Sequence, residues 1–567
     1  MKRVHLFLSI LLIVILIPIA DRLIYGHSDP FVSYVIVPAY VLKNTGHLQG
    51  VISYLETAYS NVDEKAWIWQ IGTADLIKSG VFGASLLLYT TGRVSNIDYT
   101  ILGYSPLVYF SFVMLFLSVV YQITKFNLRF KALSYTIIAV IGLLAGGMDF
   151  ANTYVFRHFI GFQYHAVALT MYLAFILLFL KEINPQETTA KIIIPLTVLY
   201  ISLVITHYRF PVLILGNLLL YAGLYGFLMR TSKGSKYSAV SKVLVVSFVL
   251  FATIAYLEPF YWDTLKSNKG LLDFFFIFEY FSEILSGHHE VGSNFAVKTH
   301  ILDKIFRFNI YSEVSMWILT VSIMAIIMIK YLHTDKSSRY NLSKPIFFLW
   351  GVGSTMMYNL TYFLAYHGFT GISLYDTWII ALSTVPFLRL IIKSIDLSKA
   401  RILLTVSIFA GLSLSVITAS ILSLYYSTEY PNFPDTPRYQ VETSLPFIWD
   451  VLTPRQTVRG IVVGASFPAS AEIYTKTAKH NITLLQRLGV IRMQEVIKYN
   501  KNQNIKWFLN TLKQRYDYIV ITNYEEEHGL SVDVFGRASY LMPPDITQVE
   551  LSYDKIYNSN QVTLLRT

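Results

Sequence analysis

Long apolar stretches separated by short polar segments fill most of this chain. Runs near the roughly 20 residues that a bilayer-spanning helix needs fall at 4–20, 101–124, 132–148, 164–181, 192–206, 209–229, 243–258, 311–331, 345–365, 377–393 and 402–425. These eleven runs predict a polytopic α-helical membrane protein. The pattern changes after "EYPNFPDTP" (429–437), whose prolines mark a linker. Beyond it, β-type runs "TVRGIVVGAS" (457–466), "NITLLQRL" (481–488) and "YDYIVITN" (516–523) alternate with helix-like "FPASAEIYTKTAKH" (467–480) and "MQEVIKYNKNQNIKWFLNTLKQR" (493–515). That alternation predicts a small α/β domain, with "YDKIYNSNQVTLLR" (553–566) as a closing hairpin.

Charge orients the spans. With the N-terminus inside, Lys2 and Arg3 and the loops 125–131, 181–191, 230–242, 330–344 and 393–401 hold 18 basic residues against 4 acidic ones, whereas the first outer loop, 21–100, has 5 basic against 7 acidic. This is the positive-inside asymmetry. It also places "IGTADLIKSGVFGASLLLYTTG" (71–92): counted as a span, it would put the basic "KFNLRFK" (125–131) outside, so a helix lying at the outer interface is expected. The opening "MKRVHLFLSILLIVILIPIA" has no clean cleavage site after its apolar run and is expected to be a retained first helix. The expected organisation is a transmembrane domain, 1–425, with outer loops 21–100 and 259–310, followed by an extracytoplasmic α/β domain, 426–567. The expected location is the plasma membrane, multi-pass, with a cytoplasmic N-terminus.

Composition agrees with that plan and narrows the chemistry. Only 14% of the residues are charged, against about 25% in soluble chains, and the mean hydropathy is +0.49. The net charge of +11 is spread over the short loops and forms no basic patch, so nucleic acid is not an expected partner. There is no cysteine, which excludes disulfides, thiol nucleophiles and thiolate metal sites.

One carboxylate stands out. In "HSDPFVSYVIVPAYVLKNTG" (27–46), Asp29 precedes Pro30 and an apolar stretch, with no opposite charge nearer than Arg22 and Lys43. Asp-Pro is a good helix opening, an N-cap followed by proline at the first helical position. A carboxylate held at the membrane surface is also costly and commonly functional. Both readings stand on residue type alone.

The order of parts adds to this. A cytoplasmic N-terminus, one span, an outer loop opening with Asp29, Pro30, Phe31, Tyr34 and then Gly46, interfacial helices, further spans and a C-terminal outer domain resemble the C-class (GT-C) membrane glycosyltransferases. The Asp-Pro-aromatic opening is most similar to the catalytic subunits of oligosaccharyltransferases. The eleven-span plan is similar to protein O-mannosyltransferases and related prokaryotic enzymes using lipid-linked sugars. The resemblance implies a glycosyltransferase in which an acceptor on the extracytoplasmic side attacks a sugar carried on a polyprenyl phosphate, with inversion. The first-loop acid serves as base or orients the acceptor; the matching residue is Asp29, with Asp21 as a possible accessory.

The second outer loop, "DFANTYVFRHFIGFQYHAVAL" (149–169), matches in part. Arg157 and Gly161 fit, but Tyr164 and His165 stand where oligosaccharyltransferases carry an acidic pair that helps hold a divalent cation, and Asp149 is the only carboxylate in the loop. Mg²⁺ or Mn²⁺ would want more oxygen ligands, so no metal or other cofactor is expected. A donor with a single phosphate and one sugar fits that loss.

The Trp-Trp-Asp motif with which oligosaccharyltransferases read the acceptor is missing from the C-terminal part, which argues against N-glycan transfer to protein. A glycan, protein or lipid remains as acceptor class.

Cations for the donor phosphate are Arg157 and, in "THYRF" (206–210), His207 and Arg209; each alone could equally be an interfacial anchor. The cluster His288, His289, Glu290 and His300 lacks the spacing of a helical zinc site and fits a loop over the substrate.

Two other functions compete: a non-catalytic scaffold or lipid-binding relative, and a transporter or flippase. The second would place charges or broken helices at mid-membrane, and the apolar runs here are largely uncharged.

Overall fold

The computed structural model describes residues 30–46, 83–125, 161–206 apart from 163 and 183–189, Phe210, Ile214, and in the C-terminal part 461–463, 475–480, 488–490, 498–499, 502–522, 526, 530–531, 540–541, 543–559 and 562–567. Helix α1 (Pro30–Thr45) begins at the proline that the sequence marks, where a missing N–H costs nothing. It stops at Gly46, whose φ of +75° suits only glycine well and whose N–H bonds the Leu42 carbonyl at 2.9 Å. Every residue from Val35 to Leu42 is buried. A helix apolar on all sides belongs in an interior, and α1 sits against α2 (Gly83–Ser95) and α3 (Tyr99–Gly103).

The apolar run 101–124, expected as one helix, is two. Asp98 caps α3 by accepting the Thr100 N–H at 3.0 Å, and α4 (Leu107–Lys125) starts after a break at 104–106. The reason is local: Ser105 precedes Pro106 and is biased away from helical backbone, and Pro106 has no N–H to give. The Pro106 carbonyl then accepts from Phe110 at 2.9 Å and opens the new helix.

Helices α5 (Tyr164–Glu182) and α6 (Ala190–Thr206) occupy two further predicted runs. α5 packs between α4 and α6, and α2 touches both α5 and α6. The approach of α2 to α6 requires glycine, since a Cβ on Gly83 would collide with the Thr206 side chain and lie 2.9 Å from Ile205 Cγ1.

Among the described residues no helix is long and apolar enough to cross a membrane. α4 and α5 have 19 residues each, which at 1.5 Å per residue gives about 28 Å, just under the roughly 30 Å of a hydrocarbon core. Most of the other predicted spans lie outside the described residues.

The C-terminal part contains a five-stranded sheet in the order β2-β1-β3-β7-β6. Strand β1 (Ile461–Val463) runs parallel to β2 (Leu488–Val490) and β3 (Tyr518–Thr522), while β7 (Val562–Arg566) runs antiparallel to β3 and to β6 (Asp554–Asn558). The predicted closing hairpin is β6–β7, with a register shift between Lys555 and Tyr557. All five residues of β3 are buried, as for a strand covered on both faces.

The predicted helix 493–515 is helical at 498–499 and 502, breaks at Gln503, whose φ is +50°, and resumes as α7 (Ile505–Arg515), which Asn504 caps by accepting the Trp507 N–H at 3.0 Å. It presents Phe508 and Leu512, four residues apart, to Ile519, Ile521 and Leu565. Two elements are absent from the sequence expectation: the short ladder of β4 (Leu530–Ser531) with β5 (Tyr540–Leu541), and α8 (Pro543–Ser552), which adds Ile546 and Val549 to the core.

Candidate functional site

Burying α1 on all sides creates one problem, the phenol of Tyr40, which is 2% exposed. A buried hydroxyl must find partners. It donates to Asp98 Oδ1 at 2.9 Å, and because its only hydrogen goes there, the Thr100 hydroxyl 2.9 Å away is the donor to the Tyr40 oxygen. The Tyr40 ring meets Tyr99 edge-on at 5.1 Å, and Lys43 lies 5.9 Å from the centre of the same Tyr99 ring.

The Asp98 carboxylate gathers three bonds: the Tyr40 hydroxyl and the Thr100 N–H on Oδ1, the second of which caps α3, and Lys479 Nζ at 3.0 Å on Oδ2. Burial raises its carboxyl, but the bonds from Lys479, Tyr40 and Thr100 together hold it below the usual carboxylate range. Burial first, then the Asp98 carboxylate, pushes the Tyr40 phenol well above its ordinary value, so it stays protonated and able to donate. Lys479 belongs to the helical turn 475–480, in the crossover between β1 and β2. The C-terminal part thus touches the first-loop helices.

Gly161 and Phe162, in the predicted second outer loop, reach α1 and α3 at a separate point. A Cβ on Gly161 would lie 2.6 Å from Val32 Cγ2 and 2.8 Å from the Gly103 carbonyl oxygen, and the next residue, Phe162, donates its N–H to that oxygen at 2.7 Å. Gly103 is itself pressed against Ile36, 2.6 Å from where its Cβ would be. Two glycines therefore let α3 and the loop end meet backbone to backbone, with the Val32 and Ile36 side chains of α1 pressed against them.

Asp29 is bonded to Pro30, the first residue of α1, and lies outside the described residues, as do Asp21, Asp149, Arg157, His207 and Arg209. His165 is the second residue of α5, and its side chain lies outside the described ones. Arg157 precedes Gly161 by four residues, and His207 follows the last residue of α6. Tyr40, Asp98 and Lys479 were not anticipated from the sequence. The signal for one of them is present: "NIDYT" (96–100) has the form of a helix cap.

A second polar group lies in the C-terminal sheet. Glu550, on α8 and 8% exposed, takes Lys555 Nζ on Oε2 at 3.1 Å, while Thr563 donates to Glu526 Oε1 at 3.2 Å. Burial first, and then the neighbouring Glu550 carboxyl, push the Glu526 carboxyl up to about 7. Among the described residues no group of three or more His, Asp or Glu side chains is placed to hold a metal ion.

No protein-family model matches the sequence, and no curated protein does. The chain is similar to an archaeal oligosaccharyltransferase. Against the Archaeoglobus fulgidus enzyme tethered with an acceptor peptide containing the NVT sequon, the identity is 11%, the overlap covers 97% of this chain and 72% of that one, and the TM-score is 0.48. Against the same enzyme in complex with zinc and sulfate, the values are 12%, 88% and 64%, with a TM-score of 0.41. In that alignment the chain spans under two thirds of the enzyme's length.

Proposed function

We propose that this protein is an integral membrane glycosyltransferase that moves a sugar from a polyprenyl-phosphate-linked donor to an acceptor on the extracytoplasmic face. The observation that carries the assignment is the contact of Val32 with Gly161. It joins the first turn of the helix that follows Asp29 to the end of the loop that contains Arg157. In the sequence Asp29 stands three residues before Val32 and Arg157 four before Gly161, and this supports a reading in which a carboxylate gives acid–base help to an acceptor beside a donor phosphate.

In this mechanism the Asp29 carboxylate takes the proton of the acceptor hydroxyl as that oxygen attacks the anomeric carbon. The bond from that carbon to the phosphate oxygen breaks, and attack from the opposite face inverts the configuration. Charge growing on the departing phosphate is met by Arg157, His207 and Arg209. No step is assigned to a metal ion, because a hard cation needs several oxygens and the second outer loop supplies one carboxylate, Asp149, with Tyr164 and His165 in the other positions. A single sugar on a single phosphate suits so small a set of charges.

The test compares Asp29→Asn with Asp29→Ala for glycan product and for folded yield. Loss of the base should lower turnover by roughly 10²–10⁴ in both at normal yield. If Asp29 only capped α1, Asn would serve almost as well as Asp, and wild-type product from the Asn variant would end the proposal.

A further inference from the structure

We infer that Asp98 is a positioning residue, through which the C-terminal part, by way of Lys479, fixes the helix that follows the proposed base. The inference rests on the assignment of Asp29 above for its catalytic half and on geometry alone for its mechanical half.

Two bonds hold Asp98 before Lys479 arrives, from the Thr100 N–H that it caps and from the Tyr40 hydroxyl, and a third ties those two partners to each other. An exposed ion pair by itself holds little, because two long side chains must be ordered to make it. Here only one is mobile. Lys479 has a half-exposed side chain while that of Asp98 is 25% exposed, so an already fixed carboxylate oxygen receives a single flexible ammonium group.

The Lys479 backbone is anchored too. Its turn buries Thr475, Thr477 and Ala478, leaving Lys479 as the side chain that crosses to Asp98.

The other end of the linkage is Tyr40, which lies ten residues after Pro30 along α1, or about 15 Å at the rise of a helix. α1 is buried continuously over Val35–Leu42 and so cannot turn without repacking its neighbours. Fixing the Tyr40 end therefore fixes the axial position and rotation of the end joined to Asp29. Gly161 against Val32 fixes the same helix near its start, leaving Asp98 to set its far end.

The experiment uses the full-length chain in detergent, with Lys479→Glu, Lys479→Ala and Lys479→Arg. Hydrogen exchange over 30–45 should quicken on the order of ten-fold in the Glu variant, as local opening becomes easier, and recover in the Arg variant. Exchange over 518–522 and 562–566 should stay at the wild-type level, which shows that the sheet is intact.

Transfer by the Glu variant should fall in kcat by roughly 10- to 10²-fold with KM little changed, as a misplaced base would cause. Unchanged exchange over 30–45 would overturn the linkage. Faster exchange with unchanged kcat would overturn the positioning role. A fully active Asp29→Asn protein would remove the glycosyl-transfer assignment, and the exchange result would still decide the mechanical half.

Discussion

Gly161 sits against Val32 with no room for a methyl group: a Cβ there would be 2.6 Å from a valine methyl and 2.8 Å from the Gly103 carbonyl oxygen. The valine is on a buried helix and the oxygen is backbone, held by Phe162 at 2.7 Å, so neither can swing aside. Gly161→Ala should therefore cost about 1–3 kcal/mol, the usual penalty of overpacking. Thermal melting checks that figure. Gly46→Ala is the contrast: nothing lies within 4 Å of its Cβ position, and its expected loss of roughly 1–2 kcal/mol comes from the φ of +75°. Transfer activity should fall in the Gly161 variant and hold in the Gly46 variant.

Stability should decline between pH 4.5 and pH 7 through one side chain. Glu526 is pushed from 4.5 to about 7 on folding, so the folded chain holds that proton more tightly than the unfolded chain. Its contribution is complete below the unfolded value and is lost as the pH rises through about 7. Glu526→Gln imitates the protonated form. Its amide oxygen can still accept from Thr563 and its N–H can face Glu550, with Lys555 remaining on the other Glu550 oxygen. The difference in melting temperature between pH 5 and pH 8 should shrink in this variant. An equal difference in both proteins would show that another group sets the slope. Asp98 acts in the opposite sense, since its lowered folded value makes its contribution disappear only on acidification below the ordinary carboxylate range.

Sidedness can be read directly because the chain has no cysteine. Single cysteines at Ser235 and Ser531 should react oppositely with an impermeant thiol reagent in sealed cells, Ser531 labelled and Ser235 protected. Equal labelling would remove the odd number of spans and with it the outer location of the proposed site.

How far these features could be read beforehand depended on whether their cause was local. The start of α1 at Pro30, helices α5 and α6 and the β6–β7 hairpin follow from short-range patterns and appear in the structure. The break at 104–106 also has a local cause, Ser105-Pro106, but the apolar count across it is high enough to hide a two-residue signal. In α8 the pair Pro543-Pro544 suggests a turn, whereas proline at the start of a helix is favourable. The linkage of Tyr40, Asp98 and Lys479 has no periodicity at all. It joins residues from distant stretches of the chain, and only folding brings the lysine to a cap that was already visible. For Asp29 the sequence supplies the residue and the helix it precedes, while its companions Arg157, His207 and Arg209 lie outside the described residues.

The strand order of the sheet also dictates when it can form. β7 lies between β3 and β6, although among the described strands it is the last to be synthesised. While the ribosome is still translating the residues before Val562, β1, β2 and β3 can associate, but β3 keeps an open edge and β6 has no partner. A polypeptide released by a premature stop codon after Asn558 would expose that edge to other nascent chains and would lack Leu565 from the core around Ile519 and Ile521. Cellular quality control would meet a truncated chain of this kind as an aggregating species, even though β1, β2, β3 and β6 had all been made.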